Sequence, residues 1–270
     1  MRHGLYLPPF GAFADPRTIL DLATSAEEHS WDGFFLWDHV VRPPGDPQVI
    51  ADPWILLAAV AARTTRIRLG PMITPLARRR PQKVARETVT LDHLSGGRLV
   101  LGVGLGVDTG GELERFGEVT EPRTRARVLD EAIELVVALW SGAEVSHRGT
   151  SFTATGVRFL PVPVQRPRIP VWAAAQGAHR RLAPLRRAAA LDGIFPVDTS
   201  IEHLAWILDT LRGLRGTLEG YDVAVEIRPD EADTDLEVME PAGATWAMWS
   251  FGMDATRRDV EEVVERGPVR

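Results

Sequence analysis

The residues best suited to chemistry are Asp38 and His39, which end the apolar run GFFLW at 33–37. An imidazole titrates near neutrality and can give or take a proton. The adjoining carboxylate could orient it or polarise a ligand. Read alone, the pair is equally compatible with a loop-capping aspartate beside a solvated histidine. Met72, Ile73 and Thr74 close a second apolar run, and Arg78, Arg79 and Arg80 open a helix, where guanidinium groups could form an anion site. Gln176, Gly177, Ala178 and His179 join a strand to a helix, a junction whose backbone N–H groups can bind phosphate. Gly102, Gly104 and Gly106 would let backbone approach a flat ligand closely. Other acid–base groups are few; Glu112 follows the glycines, but its distance along the loop counts against its reaching the site. Such poverty suits a protein whose cofactor carries the chemistry while the chain orients it.

Other chemistries find little support. The chain has no cysteine, which excludes thiolate catalysis, disulfides and thiolate metal sites. Its seven histidines are scattered without ligand spacing. No GxSxG elbow accompanies a nucleophile. The carboxylate pairs Glu27-Glu28 and Glu261-Glu262 read as solvated helix faces, so a cofactor-free hydrolase lacks its groups. The glycine spacing 102, 104, 106 is a weak dinucleotide fingerprint, because Val107 to Gly111 open no clear helix.

These residues must be positioned by alternating strands and helices. The chain 66–106 reads as strand, helix and strand: an apolar run at 67–73, a helix over 81–94 broken by Ser95-Gly96-Gly97, and a second run at 99–103. Neither run alternates, so both faces are expected to be buried, as in a parallel sheet. Further strands are predicted at 3–7, 33–37, 171–175, 193–197, 222–227 and 244–251. Asp15-Pro16, Asp52-Pro53, Thr120 or Glu121 before Pro122, and Ser200 mark helix starts. A helix is predicted over 179–190, although Pro184 would shorten or kink its first half. The segment 228–241 is acidic and poor in large apolar residues, so the seventh helix is expected to be short or degenerate. Trp246 and Trp249 should point to opposite faces of the last strand. The count of about eight strand–helix units predicts an α/β fold of (β/α)8 TIM-barrel type over 1–270, with a hairpin inserted on the rim at roughly 142–170. A doubly wound sheet is the alternative. In a barrel the strands' C-terminal ends carry the site, which is where the residues above fall.

The stretch LGPMITPLARRRPQKVARETVTLDHLSGGRLVLGVGLG, above all TLDHLSGGR at 90–98, resembles the third-to-fourth strand region of the bacterial luciferase-like monooxygenase family. The resemblance implies the TIM barrel and a flavin-type cofactor, FMN or coenzyme F420. WDH at 37–39 is similar to the F420-using branch, implying that Asp38 and His39 lie near cofactor and substrate, with Asp38 orienting His39. It also implies a bulged third strand behind the cofactor ring, with a non-proline cis peptide at Met72–Ile73, and cofactor phosphate at 176–179. Some F420-dependent dehydrogenases of the family carry a catalytic glutamate directly after the third glycine; here that residue is Val107. A non-catalytic flavin-binding accessory protein is the alternative, motivated by a short insertion that would leave the pocket shallow. Expected partners are a small-molecule substrate, a separate flavin reductase if FMN is used, and a second copy of the chain packed through the helices after the second and third strands.

With 31 basic and 37 acidic residues the net charge is −6, which argues against a general nucleic-acid binder. No apolar window suits a membrane helix or a signal peptide, so a cytoplasmic protein is expected.

Overall fold

The computed structural model describes residues 1–41, 49–176 and 180–268. Nine parallel strands form one sheet: β1 (Arg2–Leu7), β2 (Gly33–Leu36), β3 (Arg68–Pro71), β4 (Thr74–Pro75), β5 (Leu101–Gly104), β8 (Val171–Gln176), β9 (Gly193–Val197), β10 (Asp222–Ile227) and β11 (Trp246–Ser250). The antiparallel hairpin β6 (Glu144–Arg148) and β7 (Thr153–Arg158) stands apart. The sheet order is β3-β2-β1-β11-β10-β9-β8-β5-β4. β3 and β4 are consecutive pieces of one barrel strand. β3 pairs with β2, β4 pairs with β5, and a bridge from Leu69 to Leu99 closes the ring. The barrel predicted from the strand count is therefore formed.

Helices α1 (Pro16–Glu28), α2 (Pro53–Arg63), α3 (Pro81–Leu94), α4 (Pro122–Trp140), α5 (Leu182–Ala189), α6 (Ile201–Arg215), α7 (Ala232–Ala242) and α8 (Arg257–Arg266) surround it. Asp15, Asp52 and Glu121 each accept backbone N–H bonds ahead of a first-turn proline, and Ser200 caps α6. α5 begins later than expected, with Pro184 inside its first turn, where no intrahelical N–H is lost. α7 spans 11 residues, starts without a side-chain cap and carries Pro241 inside its C-terminal end. Among the described residues no helix is long and apolar enough to cross a membrane.

Strand alternation splits the core into two shells. Inside the barrel lie Tyr6, Phe35, Met72, Trp172, Phe195, Trp246 and Met248. The larger shell, between strands and helices, includes Leu5, Phe34, Leu69, Leu101, Ile194 and Trp249. Trp246 and Trp249 do face opposite ways, and both are core residues. Phe35, Trp172 and Trp246 meet at ring-centroid distances of 5.5–5.8 Å and plug the barrel below the strand ends.

The TLDHLSGGR signature serves this architecture. Buried Arg98 donates to the carbonyls of Ser95, Ile67, Ala61 and Thr64 and to Thr64 Oγ1, tying the end of α2 to the start of β3. Asp92, fully buried, accepts from the backbone N–H groups of Val164 and Gln165 and from Gln165 Nε2. The inserted hairpin is present, but it follows α4, which runs back toward the strands' N-terminal ends. It therefore belongs to the rim opposite the candidate site and has no bearing on that pocket's depth.

Candidate functional site

A cavity of about 450 Å³ opens at the strands' C-terminal ends. The strand carrying β3 and β4 forms one wall. After Leu36 pairs with Pro71, Met72 N–H still donates to Leu36 O, and the chain then turns through a cis Met72–Ile73 peptide before β4 joins β5. The cis bond expected between Met72 and Ile73 is thus present.

The β5 glycines seat this bulge. A Cβ on Gly102 would lie 2.5 Å from Pro71 O, and one on Gly104 would lie 2.0 Å from Ile73 Cδ1. The expectation that these glycines clear room for a ligand is corrected: Gly104 clears room for Ile73 and does not line the cavity, whereas Gly106 does. Met72 and Ile73 line the wall, while Thr74 is fully buried and absent from the lining. Gly104→Ala is expected to lower stability by about 1–3 kcal/mol through overpacking. Ile73→Ala in the same chain should restore part of that loss, and urea unfolding of the single and double variants would show whether the two are coupled.

His39 lies at the cavity edge, its side chain 15% exposed, between the rings of Phe10 and Trp37. Its Nδ1 is 3.0 Å from Oε1 of Glu112, a carboxylate only 1% exposed. The other oxygen of Glu112 accepts from Val40 N–H at 3.1 Å and lies 2.9 Å from Arg78 Nη1. Burial alone would push the Glu112 carboxyl up. The His39 hydrogen bond, the charges of His39 and Arg78, and the Val40 N–H outweigh burial and hold it below its ordinary range. An ionised carboxylate only accepts, so His39 Nδ1 carries the hydrogen and Nε2 is left for a ligand. Glu112 reaches because its loop folds back on itself: Asp108 accepts from Leu113 N–H at 2.7 Å. Buried Arg125 of α4 holds the carbonyls of Leu105 and Gly106, fixing the loop's first residues.

Asp38 does not orient His39, contrary to expectation. Its carboxylate accepts from Arg78, Arg79 and Trp54 Nε1, which commits both oxygens. Those bonds also correct the proposed arginine anion site. Arg78 and Arg79 are neutralised by Asp38 and Glu112, and Arg79 and exposed Arg80 are absent from the cavity lining. Gln176 lines the cavity, while Gly177, Ala178 and His179 lie outside the described residues.

Sequence reading missed several lining residues. Arg181, at the N-cap of α5, and Trp206 of α6 border the cavity. Glu226 does too, and a signal for it exists. In DVAVEI, Ala224 faces the barrel interior, so period-2 alternation turns Glu226 inward at the strand's C-terminal end. Burial, with the charge of Asp198, pushes its carboxyl above the ordinary range against the opposing Ser250 hydrogen bond and Arg228 charge.

Comparison with known proteins adds the family. The luciferase-like monooxygenase family matches residues 1–267. An F420-dependent glucose-6-phosphate dehydrogenase of Nakamurella multipartita is 33% identical over 83% of this chain, which covers 63% of that relative's length. The solved F420-dependent tetrahydromethanopterin reductase from Methanopyrus kandleri superposes with a TM-score of 0.79 at 17% identity, over 98% of each chain. Monooxygenase RslO1 from Streptomyces bottropensis gives 0.78 at 21%, over 98% of this chain and 96% of its own. At those identities the two structures speak to the fold.

Proposed function

The chain belongs to the luciferase-like monooxygenase family, and from that premise we propose that it is a flavin-type oxidoreductase acting on a small organic substrate in the strand-end cavity. The observation that carries this reading is the His39–Glu112 pair at the edge of a cavity walled by the Met72–Ile73 bulge.

The residues fit a flat, anionic-tailed cofactor. Ile73, Leu105 and Ala174 offer apolar wall, and Gln176 a polar amide. Arg181 supplies a cation at the start of α5, where backbone N–H groups favour an anion. When bound, the cofactor supplies the two-electron donor or acceptor. His39 holds or removes the substrate's proton at Nε2, and Glu112 stabilises the imidazolium that results. Val107, in place of the glutamate carried by some relatives, is half exposed at the cavity mouth and contributes no acid.

Coenzyme F420 is the better supported cofactor, through the 33%-identical F420-dependent relative; reduced FMN with oxygen is the other arm, which would call on a separate reductase. Trp37 and Trp206 line the cavity, so intrinsic fluorescence reports occupancy. Saturable quenching by F420 and not by FMN is expected. The reverse result moves the assignment to oxygen chemistry, and binding of neither overturns the redox reading. Turnover of alcohols, imines or enones with bound F420 would separate an enzyme from an accessory binding protein. The reading includes a homodimer through α2 and α3, supported by Ile55, 72% exposed on α2, and checked by sedimentation.

A further inference from the structure

Hydride chemistry moves a proton with each electron pair, and that proton must pass between the ligand and solvent. Beside the cavity lies a second, larger cleft of about 870 Å³, formed by the ends of β10 and β11, the loop after β11, and α8. It is polar, with Arg228, Asp230, Ser250, Asp254 and Glu262 among its walls. Trp37 and Glu226 are the residues that line both spaces.

We propose that Glu226 is a proton-transferring residue of this site, delivering a proton to an oxygen or nitrogen of the ligand bound in the cavity and regaining it from water in the neighbouring cleft. The assignment rests on the flavin-type oxidoreductase reading. In this step the O–H bond of Glu226 breaks and an O–H or N–H bond forms on the ligand. The resulting carboxylate takes a proton from cleft water, and the solvent carries away the remaining charge. No electrons move in the step; the electron pair is exchanged separately between substrate and flavin-type cofactor. In the opposite direction every transfer reverses.

Position singles out Glu226. Asp38 is saturated by two arginines and a tryptophan, and Glu112 is committed to His39 and Arg78. Asp198 is exposed beyond β9 and has no place in the second cleft. The groups acting on Glu226 are Asp198 beyond β9, Arg228 just past the end of its own strand and Ser250 on β11, with His39 facing the same cavity. Burial, the largest influence, keeps Glu226 protonated to higher pH, while Glu112 is held ionised. Two carboxyls with opposed environments provide an acid and the anchor of a base in one site.

The test is an infrared titration of the whole chain without added ligand, read as wild type minus Glu226→Gln. The expected carboxyl titrates above about 4.3, the ordinary glutamate value. Asp198→Asn should move it down and Ser250→Ala should move it up. On a substrate returned by the panel above, Glu226→Gln should lower kcat by about 10²–10⁴-fold, the usual range for a lost acid–base group. Its F420 affinity should stay within a few-fold of wild type, and the titrating limb of the kcat–pH profile should vanish; a merely structural role would move affinity and leave the limb. A Glu226 carboxyl that titrates at the ordinary value, or ignores both neighbouring substitutions, overturns the assignment even if F420 binds. A raised carboxyl in a chain that binds neither F420 nor FMN overturns the redox reading and, with it, the reaction assigned to Glu226, so the two failures are distinguishable.

Discussion

A chain carrying Arg98→Ala is expected to lose about 3–5 kcal/mol of unfolding free energy, the scale of several buried acceptors left unpaired at once. Arg98 is 9% exposed and donates to the carbonyls of four residues and to one hydroxyl. Each accepting carbonyl left dry costs about 1–3 kcal/mol, reduced where water enters the gap. The ends that separate are those of α2 and the Ser95-Gly96-Gly97 turn, and both frame the entry to β3, the strand whose bulge walls the cavity. Arg98→Lys should recover only a minor part, because a single ammonium cannot reproduce a planar fork that spans several acceptors. Urea unfolding checks this: the midpoint should fall with the slope unchanged. A loss below about 1 kcal/mol, the net value of one ordinary hydrogen bond, would show that the network contributes little.

On the proposed F420-dependent reading, His39→Ala is expected to lower turnover by about 10²–10⁴-fold while leaving cofactor binding in place, because losing an acid–base group would affect the proton step and not the cofactor's seat. Glu112→Gln should fall in the same direction by less. The amide oxygen can still accept from His39 Nδ1, but the charge that stabilises the imidazolium is gone. The same variant has a stability signature. The folded-state carboxyl of Glu112 lies below its ordinary range. Its contribution is therefore complete above the unfolded value of about 4.3 and is lost as pH falls through the folded value. Wild type should lose stability across that acid window, and Glu112→Gln should show a flatter profile there. Equal acid sensitivity in the two chains would mean that the pair with His39 and Arg78 carries no net stabilisation.

Much of this protein could be read before it was seen folded. Helix starts were legible because the cap and the proline are sequence neighbours of the helix they open, as at Asp15, Asp52 and Glu121. Strand runs such as 193–197 were legible because burial on both faces demands continuous apolar residues. The placement of His39 at a strand's C-terminal end followed from the run that precedes it. The cis peptide at Met72–Ile73 came from the family resemblance; periodicity carries no sign of it.

What the linear order left open was partnership. Asp38 adjoins His39 in sequence and was expected to orient it. In the fold the two side chains go to different neighbours, Asp38 to arginines 40 and 41 residues on and His39 to Glu112, 73 residues on. The arginines looked like a free anion site because the carboxylates that neutralise them are remote in the chain. Glycines 102 and 104 looked like room for a ligand because the side chains that occupy that room belong to the adjacent strand. The sequence by itself determined where the capped helices start, which runs are buried and how many strand–helix units there are, since those signals depend on neighbours a few residues away. Only the tertiary structure decided which charges pair, which end of the barrel holds the hairpin and which carboxyl burial pushes up. Those outcomes depend on distance and burial in space, which residues far apart along the chain acquire only when the barrel closes.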